Sequence, residues 1–244
     1  VRIHAYGGPE LLHYEEIPRP ALNPDDILIR VRSAAVNPVD WKIREGYLQG
    51  FLKHQLPLIL GWDVSGEVVE IGPEATGFKI GDAVYARPNI ERDGSYAEYI
   101  AVKASETAHK PATLDHDHAA AVPLAALTAW QALVDAAQIQ TGQTVLIHAA
   151  AGGVGTFAVQ LAKSKGARVI ATASSVNSGI VAELGADQFI DYTQTRFEDA
   201  IKDVDVVFDT VGGETQQRSW QVLKPGGMLV SIVDPPEEKT AADH

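Results

Sequence analysis

The stretch from Thr144 to Gly155 reads T-V-L-I-H-A-A-A-G-G-V-G. Val145, Leu146 and Ile147 form a short apolar run, the pattern of a strand buried on both faces of a parallel sheet. A turn of small residues comes next, and apolar residues then recur at helical spacing from Phe157 to Lys163. Strand, glycine turn and helix in this order open a doubly wound α/β sheet. Its helix N-terminus offers free N–H groups and a positive dipole end to a pyrophosphate. Set against G-x-G-x-x-G, the positions are Ala150, Ala151, Gly152, Gly153, Val154 and Gly155, with alanine at the first glycine. Alone, such a fingerprint also fits an ordinary tight turn.

The residues after Gly155 decide for the sheet. Strands are predicted over 144–148, 168–172, 188–191, 204–208 and 228–232, and helices over 156–165, 177–184, 197–202 and 215–223. This alternation means right-handed βαβ units and a parallel sheet. A further helix is predicted over 119–137, where Leu124, Leu127, Trp130, Leu133 and Val134 fall at helical intervals.

The segment from Val1 to about Lys110 reads differently. Ile27, Ile29 and Val31 alternate with Leu28, Arg30 and Arg32, and Gly and Pro interrupt repeatedly. Short, punctuated strands point to a small, partly open β-barrel. The division expected is 1–118 for this domain and 119–244 for the dinucleotide-binding one.

Composition removes several classes of function. A formal net charge of −12 argues against a nucleic-acid surface, which needs clustered Lys and Arg. No apolar run reaches the roughly 18 residues of a membrane span. The absence of cysteine excludes disulfides and thiolate metal sites. A cytoplasmic address fits this composition. His116 and His118 in D-H-D-H do not share a helical face, and the segment reads as a solvated turn.

Three stretches are too particular for scaffold: A-V-N-P-V-D-W-K from Ala35, P-L-I-L-G-W-D-V-S-G-E-V from Pro57, and G-S-Y-A-E-Y from Gly94. With the glycine turn they resemble the medium-chain dehydrogenase/reductase superfamily, in its zinc-independent quinone oxidoreductase branch. The likeness runs from Y-G-G-P-E near Tyr6 to L-K-P-G-G near Leu223. It implies a GroES-like partly open barrel plus a Rossmann sheet, and a homodimer. Family members continue past the five strands counted here with a last strand, a helix and a return to the first domain, and they start slightly earlier. The sequence is therefore expected to be incomplete beyond the Pro235–Lys239 stretch and at its start.

Zinc-dependent members carry Cys where this chain has Asn37, and His-Glu where it has Trp62-Asp63. An amide and an indole do not replace those ligands, and a catalytic zinc wants three protein ligands. No metal is expected.

An NAD enzyme places Asp or Glu about 20 residues past the glycine turn; that count reaches Ser174, followed by Ser175. A serine can donate to a 2′-phosphate that a carboxylate would repel, so NADP(H) is favoured over NAD(H). Family NADP binders place Lys or Arg where this chain has Val176 and Asn177. Tyr192 resembles a family tyrosine that approaches the same phosphate, and Arg196 is a candidate replacement cation. Ser174 and Ser175 also read as N-caps of the next helix. The resemblance further implies Gly152 to Gly155 (with Gly153 and Val154) at the pyrophosphate, Thr128 and Asn37 near the nicotinamide, and Thr210, Val211 and Ile232 at its ribose. Asp209 reads as a strand-end residue capping a turn.

Hydride transfer needs an electrophilic carbon held against the nicotinamide and something to meet the developing charge. Without a Lewis acid, quinones and α,β-unsaturated carbonyls are the easier acceptors, because conjugation spreads the charge. Asn37, Asp40 and Tyr47 are the candidate catalytic residues, near Lys42, Trp41 and Trp62; Asp63 reads as a structural partner to backbone or to a cation. Two other readings stay open: an NADP-dependent reductase of another carbonyl, and a nucleotide-binding protein with little turnover, crystallin-like or regulatory.

Overall fold

The computed structural model describes residues 1–237 and Ala241, so the end of the Pro235–Lys239 stretch, Glu238 and Lys239, lies outside the described residues. The chain divides into two units, Val1–Leu124 and Ala125–His244.

The first unit is built from β1 (Arg2–Ile3), β2 (Asp26–Ala34), α1 (Pro38–Arg44), β3 (Leu58–Ile59), β4 (Val64–Ile71), β5 (Ala83–Ala86), β6 (Tyr99–Lys103), β7 (Thr107–His109) and α2 (His116–Ala120). Five strands form an antiparallel sheet in the order β6-β2-β4-β5-β7, and β1 pairs with β3. Period-two alternation explains its core: Ile27, Ile29, Val64, Val68, Val84, Ile100 and Val102 meet on one face. Leu28 is buried as well, so the start of β2 is covered on both faces rather than one. A second cluster of Ile3, Ile43, Leu58, Leu60 and Trp62 seats α1.

Asp26, at the head of β2, is fully buried. Arg92 donates to both its oxygens, at 2.8 and 2.7 Å, and Asn23 adds its backbone and side-chain N–H, each at 2.9 Å. Burial pushes this carboxyl up, and the bonds from Arg92 and Asn23 outweigh it, so it ends below its usual range.

The predicted helix over 119–137 is broken. α2 stops at Ala120, α3 spans Pro123–Trp130, and a π-helical turn covers Gln131–Ala136. The cause is Pro123, which has no N–H to continue a helix and pushes Val122 out of helical geometry. D-H-D-H is likewise the short helix α2 rather than a turn, N-capped by Asp115 through the His118 N–H at 2.8 Å. His116 turns inward, its Nδ1 2.8 Å from Ser65 Oγ.

The rest alternates: β8 (Thr144–Ile147), α4 (Gly153–Ser164), β9 (Arg168–Ala173), α5 (Ser178–Glu183), β10 (Gln188–Asp191), α6 (Phe197–Ala200), β11 (Val204–Asp209), α7 (Gly213–Ser219) and β12 (Leu223–Ser231). All five strands are parallel, in the order β10-β9-β8-β11-β12. Val145 and Ile147 enter one apolar cluster and Leu146 the other, so β8 is buried on both faces. Each such side chain contributes about 1.5–3 kcal/mol of burial. β12 begins before the predicted 228, because Val204 pairs with Leu223 and, across a bulge, Val206 with Met228.

Arg92→Ala leaves the Asp26 carboxylate buried without its cation, a loss of about 3 kcal/mol. The expected result is a lower urea midpoint at pH 7. The wild type's advantage is complete above the unfolded carboxyl value of ~3.9 and fades as pH falls through the lower folded one.

Candidate active site

One edge of the second unit is assembled from strand ends. The order β10-β9-β8-β11-β12 reverses between β8 and β11, the switch point at which such sheets bind ligands beyond their carboxyl ends. β8 runs into His148, which is buried, its Nδ1 3.0 Å from Thr172 Oγ1 and its Nε2 3.0 Å from Ser219 Oγ. Ser219 donates to the Thr215 carbonyl at 2.7 Å, so it accepts from Nε2–H, and Nδ1 accepts from Thr172. Burial pushes the His148 ring down to about 4 and keeps it neutral at working pH. Its carbonyl receives the Thr210 hydroxyl at 2.8 Å.

The chain then turns through Ala149, held at φ 46°. The Ala150 N–H reaches Thr172 O and the Gly152 N–H returns to Ala149 O, both at 2.9 Å. Helix α4 starts at Gly153, three residues before the predicted Thr156, and its cap residue Gly152 supplies no side-chain bond. The first N–H groups of the helix have no intrahelical acceptor. A Cβ on Gly155 would lie 2.3 Å from Ala149 O and 2.8 Å from Ala150 Cα, whereas one on Gly153 would meet nothing within 4 Å. The two glycines therefore do different work: Gly155 lets helix and strand touch, and Gly153 leaves the helix end open. A bare helix N-terminus with an unobstructed approach fits a pyrophosphate.

Beyond β9, Ser174 accepts from Asn177 Nδ2 at 3.1 Å. Neither Ser174 nor Ser175 caps a helix with its side chain; the residue at the start of α5 is Asn177, so the capping expectation fails. Ser175 instead donates to Asp191 at the end of β10. The Thr193 hydroxyl and N–H, with that serine, hold Asp191 below the usual carboxylate range. The Tyr192 N–H lies 3.4 Å from Ala173 O, which brings this exposed tyrosine beside Ser174. Arg196 is committed elsewhere, 2.6 Å from the buried Glu198, which Arg218 also holds.

Beyond β11, Asp209 accepts Val211 N–H and Gly212 N–H at 2.9 Å, Gln216 Nε2 at 3.1 Å and Ser231 Oγ at 2.9 Å. The Ile232 N–H meets its carbonyl at 3.2 Å. Asp209 thus gathers Thr210, Val211 and Ile232 at one place, with Val211 and Ile232 exposed. Thr128 is half-buried on α3.

In the first unit, Asn37 immediately precedes α1, whose Pro38 suits a first helical position. Its backbone N–H donates to Asp40 Oδ2 at 2.6 Å and its side-chain Nδ2 to Asp63 Oδ2 at 2.8 Å. The Tyr96 hydroxyl donates to the same Asp40 oxygen at 2.8 Å, and the Leu124 N–H to Asp63 Oδ1 at 2.7 Å. Asp63 is 0% and Asp40 3% exposed, and Asp40 Oδ1 is buried with no hydrogen-bond partner. Burial pushes Asp63 up to about 7, against the bonds from Asn37 and Leu124 and with the charge of Asp40 adding to it. Burial also raises Asp40, and burial with the two carboxylates raises Tyr96, which stays protonated.

Asn37 and Asp40 are therefore brought together, and Tyr47 is not. It lies 65% exposed, edge-on to Trp41 with ring centroids 5.8 Å apart. Trp62 is buried and donates to the Arg92 carbonyl at 3.2 Å. Tyr96 is the member that sequence reasoning missed; G-S-Y-A-E-Y stands out as a motif, but nothing in it names Asp40 as partner. A cavity of about 990 Å³ in this unit, beside the 14–21 segment and β6, has none of the predicted residues in its wall.

Comparison with known proteins bears on both units. The family model described as alcohol dehydrogenase GroES-like domain matches residues 23–112, and that described as zinc-binding dehydrogenase matches 153–241. The chain is 36% identical to the mitochondrial NAD(P)H oxidoreductase RTN4IP1 of Danio rerio, over 96% of this chain and 66% of the relative. It is 40% identical to the chloroplastic NADPH-dependent alkenal/one oxidoreductase of Arabidopsis thaliana, over 95% of this chain and 62% of the relative. It thus spans just under two thirds of the length of these curated relatives. The solved quinone oxidoreductase of Coxiella burnetii is 37% identical, with a TM-score of 0.88 over 99% of this chain and 77% of that one.

The unequal glycines predict unequal variants. Gly155→Ala forces α4 off β8 and costs about 1–3 kcal/mol. Gly153→Ala, at a helical position with open space, leaves stability unchanged or raises it by up to about 1 kcal/mol. Thermal unfolding followed by circular dichroism measures both.

Proposed function

Because the chain belongs to the medium-chain dehydrogenase/reductase superfamily, in its quinone oxidoreductase-like branch, we propose that it reduces a quinone or an α,β-unsaturated carbonyl at the expense of NADPH. The observation that carries this reading is the bare first turn of α4, open at Gly153 and backed onto β8 through Gly155. The relatives' names support it: one is a quinone oxidoreductase and another an NADPH-dependent alkenal/one oxidoreductase.

In this reading Gly152 to Gly155, Val154 included, hold the pyrophosphate through backbone N–H groups. Ser174, steadied by Asn177, and Tyr192 serve the 2′-phosphate, with Ser175 tied back to Asp191. Val211, Ile232 and Thr210, gathered by Asp209 and the His148 carbonyl, border the nicotinamide ribose. Thr128 and Asn37 serve the nicotinamide. The bound coenzyme supplies the hydride. The protein's part is to bind, to orient and to offer donors where charge develops.

The residues at positions 37 and 62 are an amide and an indole, and the indole N–H is already used on the Arg92 carbonyl. Charge on an acceptor oxygen then falls to hydrogen-bond donors, which suits conjugated acceptors that spread it. Asp40 acts behind Asn37 rather than as an obligatory acid, since its bonded oxygen is taken by Asn37 and Tyr96. Tyr47, exposed beside Trp41, remains a candidate wall or donor for the acceptor.

A homodimer belongs to the same reading. The cytoplasmic address does too, and fractionation of the source cells decides it, since two of the relatives carry organellar names. Among the described residues no helix is long and apolar enough to cross a membrane.

Mixed with NADPH and either 1,2-naphthoquinone or a 2-alkenal, the protein is expected to consume the reduced nicotinamide absorbance. Tight NADPH binding without loss of absorbance for any acceptor favours a nucleotide-binding protein instead. For the coenzyme, Ser174→Asp sets a carboxylate against the 2′-phosphate. The NADPH-to-NADH ratio of kcat/KM should fall by about tenfold, equivalent to about 1.4 kcal/mol. An unchanged ratio removes Ser174 from the phosphate site.

A further inference from the structure

At one side of the second unit's sheet, β9 and β10 run parallel and end together, with Ala173 and Asp191 opposite each other in register. Asp191 Oδ1 takes the Thr193 N–H at 2.9 Å and the Thr193 hydroxyl at 2.7 Å. The hydroxyl and N–H of Ser175, in the turn after β9, donate to the same carboxylate. Donors of this kind favour the charged form, so a negative charge is fixed at this corner. Ser174 is the residue before Ser175, and the Tyr192 N–H lies 3.4 Å from Ala173 O. Arg196 faces away, 2.6 Å from Glu198, and Val176 and Asn177 fill the turn between Ser175 and α5.

A pyrophosphate on the first turn of α4 sets the adenosine ribose over the carboxyl end of the next strand, where NAD enzymes hold the 2′-hydroxyl with an acid. That strand is β9, and it runs out into Ser174. The acid stands one strand further out instead, tied by hydrogen bonds to the turn that carries Ser174. We infer that Asp191 is a specificity-determining residue for the coenzyme: its carboxylate, borne on β10 and held against the turn after β9, disfavours a 2′-phosphate there and lets the chain use NADH beside NADPH. The inference rests on the reading that a nicotinamide coenzyme binds with its pyrophosphate at α4.

The balance of charge decides the outcome. A 2′-phosphate brings negative charge to a corner whose ligand-facing donors, Ser174 and Tyr192, are neutral. Ser174 Oγ accepts from Asn177 Nδ2 at 3.1 Å, so its O–H can still donate. Bonds from Lys or Arg would be roughly twice as strong as these neutral ones. Asp191 acts on the same phosphate in the opposite sense, because hydrogen bonds from Thr193 and Ser175 leave its net charge in place. A 2′-hydroxyl carries no charge and loses nothing to it. Asp191 therefore has two separable effects: its bonds tie two strand ends together, and its charge sorts the coenzymes.

Titration calorimetry on the full chain separates them with two coenzyme fragments, adenosine 2′,5′-bisphosphate and adenosine 5′-monophosphate, and needs no hydride transfer. The wild type should favour the bisphosphate by no more than about tenfold. Asp191→Asn should raise that ratio about fivefold through tighter bisphosphate binding. The gain should shrink at about 0.5 M KCl, where charges are screened within a few ångströms. Asp191→Glu, which keeps the charge, should stay within about twofold of the wild-type ratio. In turnover with 1,2-naphthoquinone, the NADPH-to-NADH ratio of kcat/KM should rank the three proteins in the same order. If Asp191→Asn weakens both fragments equally and lowers the unfolding temperature, Asp191 only ties the strand ends and the proposal fails. An unmoved ratio in that variant overturns it as well, as does a wild-type preference for the bisphosphate above about a hundredfold. A wild type that binds neither fragment and neither coenzyme overturns the coenzyme reading itself, a result distinct from binding with an unmoved ratio.

Discussion

The first turn of α4 and the end of β8 meet backbone to backbone, and no side chain fits between them. A Cβ at Gly155 would fall 2.3 Å from the Ala149 carbonyl oxygen. That contact sets where the helix begins and therefore where its unpaired N–H groups point. A helix started a turn later would carry the same dipole but aim it away from the strand ends that gather Ser174, Tyr192 and Thr210. Beneath the contact, His148 bonds Thr172 on β9 and Ser219 at the end of α7, and its carbonyl anchors Thr210. One buried neutral imidazole thus joins three elements at the start of the turn, with every polar atom matched.

The first unit treats buried charge in two opposite ways. Asp26 is buried with a guanidinium across both oxygens, and its ionised form is favoured despite burial. Asp40 and Asp63 are buried with N–H and O–H donors, and both are pushed up. The first arrangement fixes a strand end and is indifferent to pH near neutrality. The second costs stability whenever both groups ionise, since like charges at low dielectric repel strongly. Buried carboxyls raised in this way cluster at functional sites more often than in plain cores.

The second unit was legible because its rules are local. Val145-Leu146-Ile147 has to be a buried strand, and the predicted strands recur in the parallel sheet with ends shifted by a few residues. Pro123 was legible too, but periodicity in Leu124, Leu127 and Trp130 masked it, and a single helix was predicted where three pieces stand. The serines at 174 and 175 read as caps from type alone; Asn177 and Asp191 claim their hydroxyls instead, and such competition between near neighbours is invisible in a linear pattern. Asn37, Asp40 and Asp63 were visible as unusual residues, yet their convergence joins α1, the start of β4 and the Ser95–Tyr96 loop across long separations. Tyr96 is the clearest case: its hydroxyl lies 2.8 Å from Asp40, and no spacing rule connects residues so far apart in the chain.

The same distance from local pattern explains the chemistry at position 37. A thiolate there would call for a cation, which would hold nearby carboxylates ionised and leave nothing to titrate near neutrality. An amide carries no charge; Arg87 is the cation that acts on Asp63, and burial outweighs it, so both carboxyls are raised. Asp63, pushed up to about 7, and Asp40, raised beside it, are coupled through that repulsion and titrate as a pair rather than singly. An amide at position 37 therefore ties the two carboxylates together, donating to Asp63 through its side chain and to Asp40 through its backbone while neutralising neither.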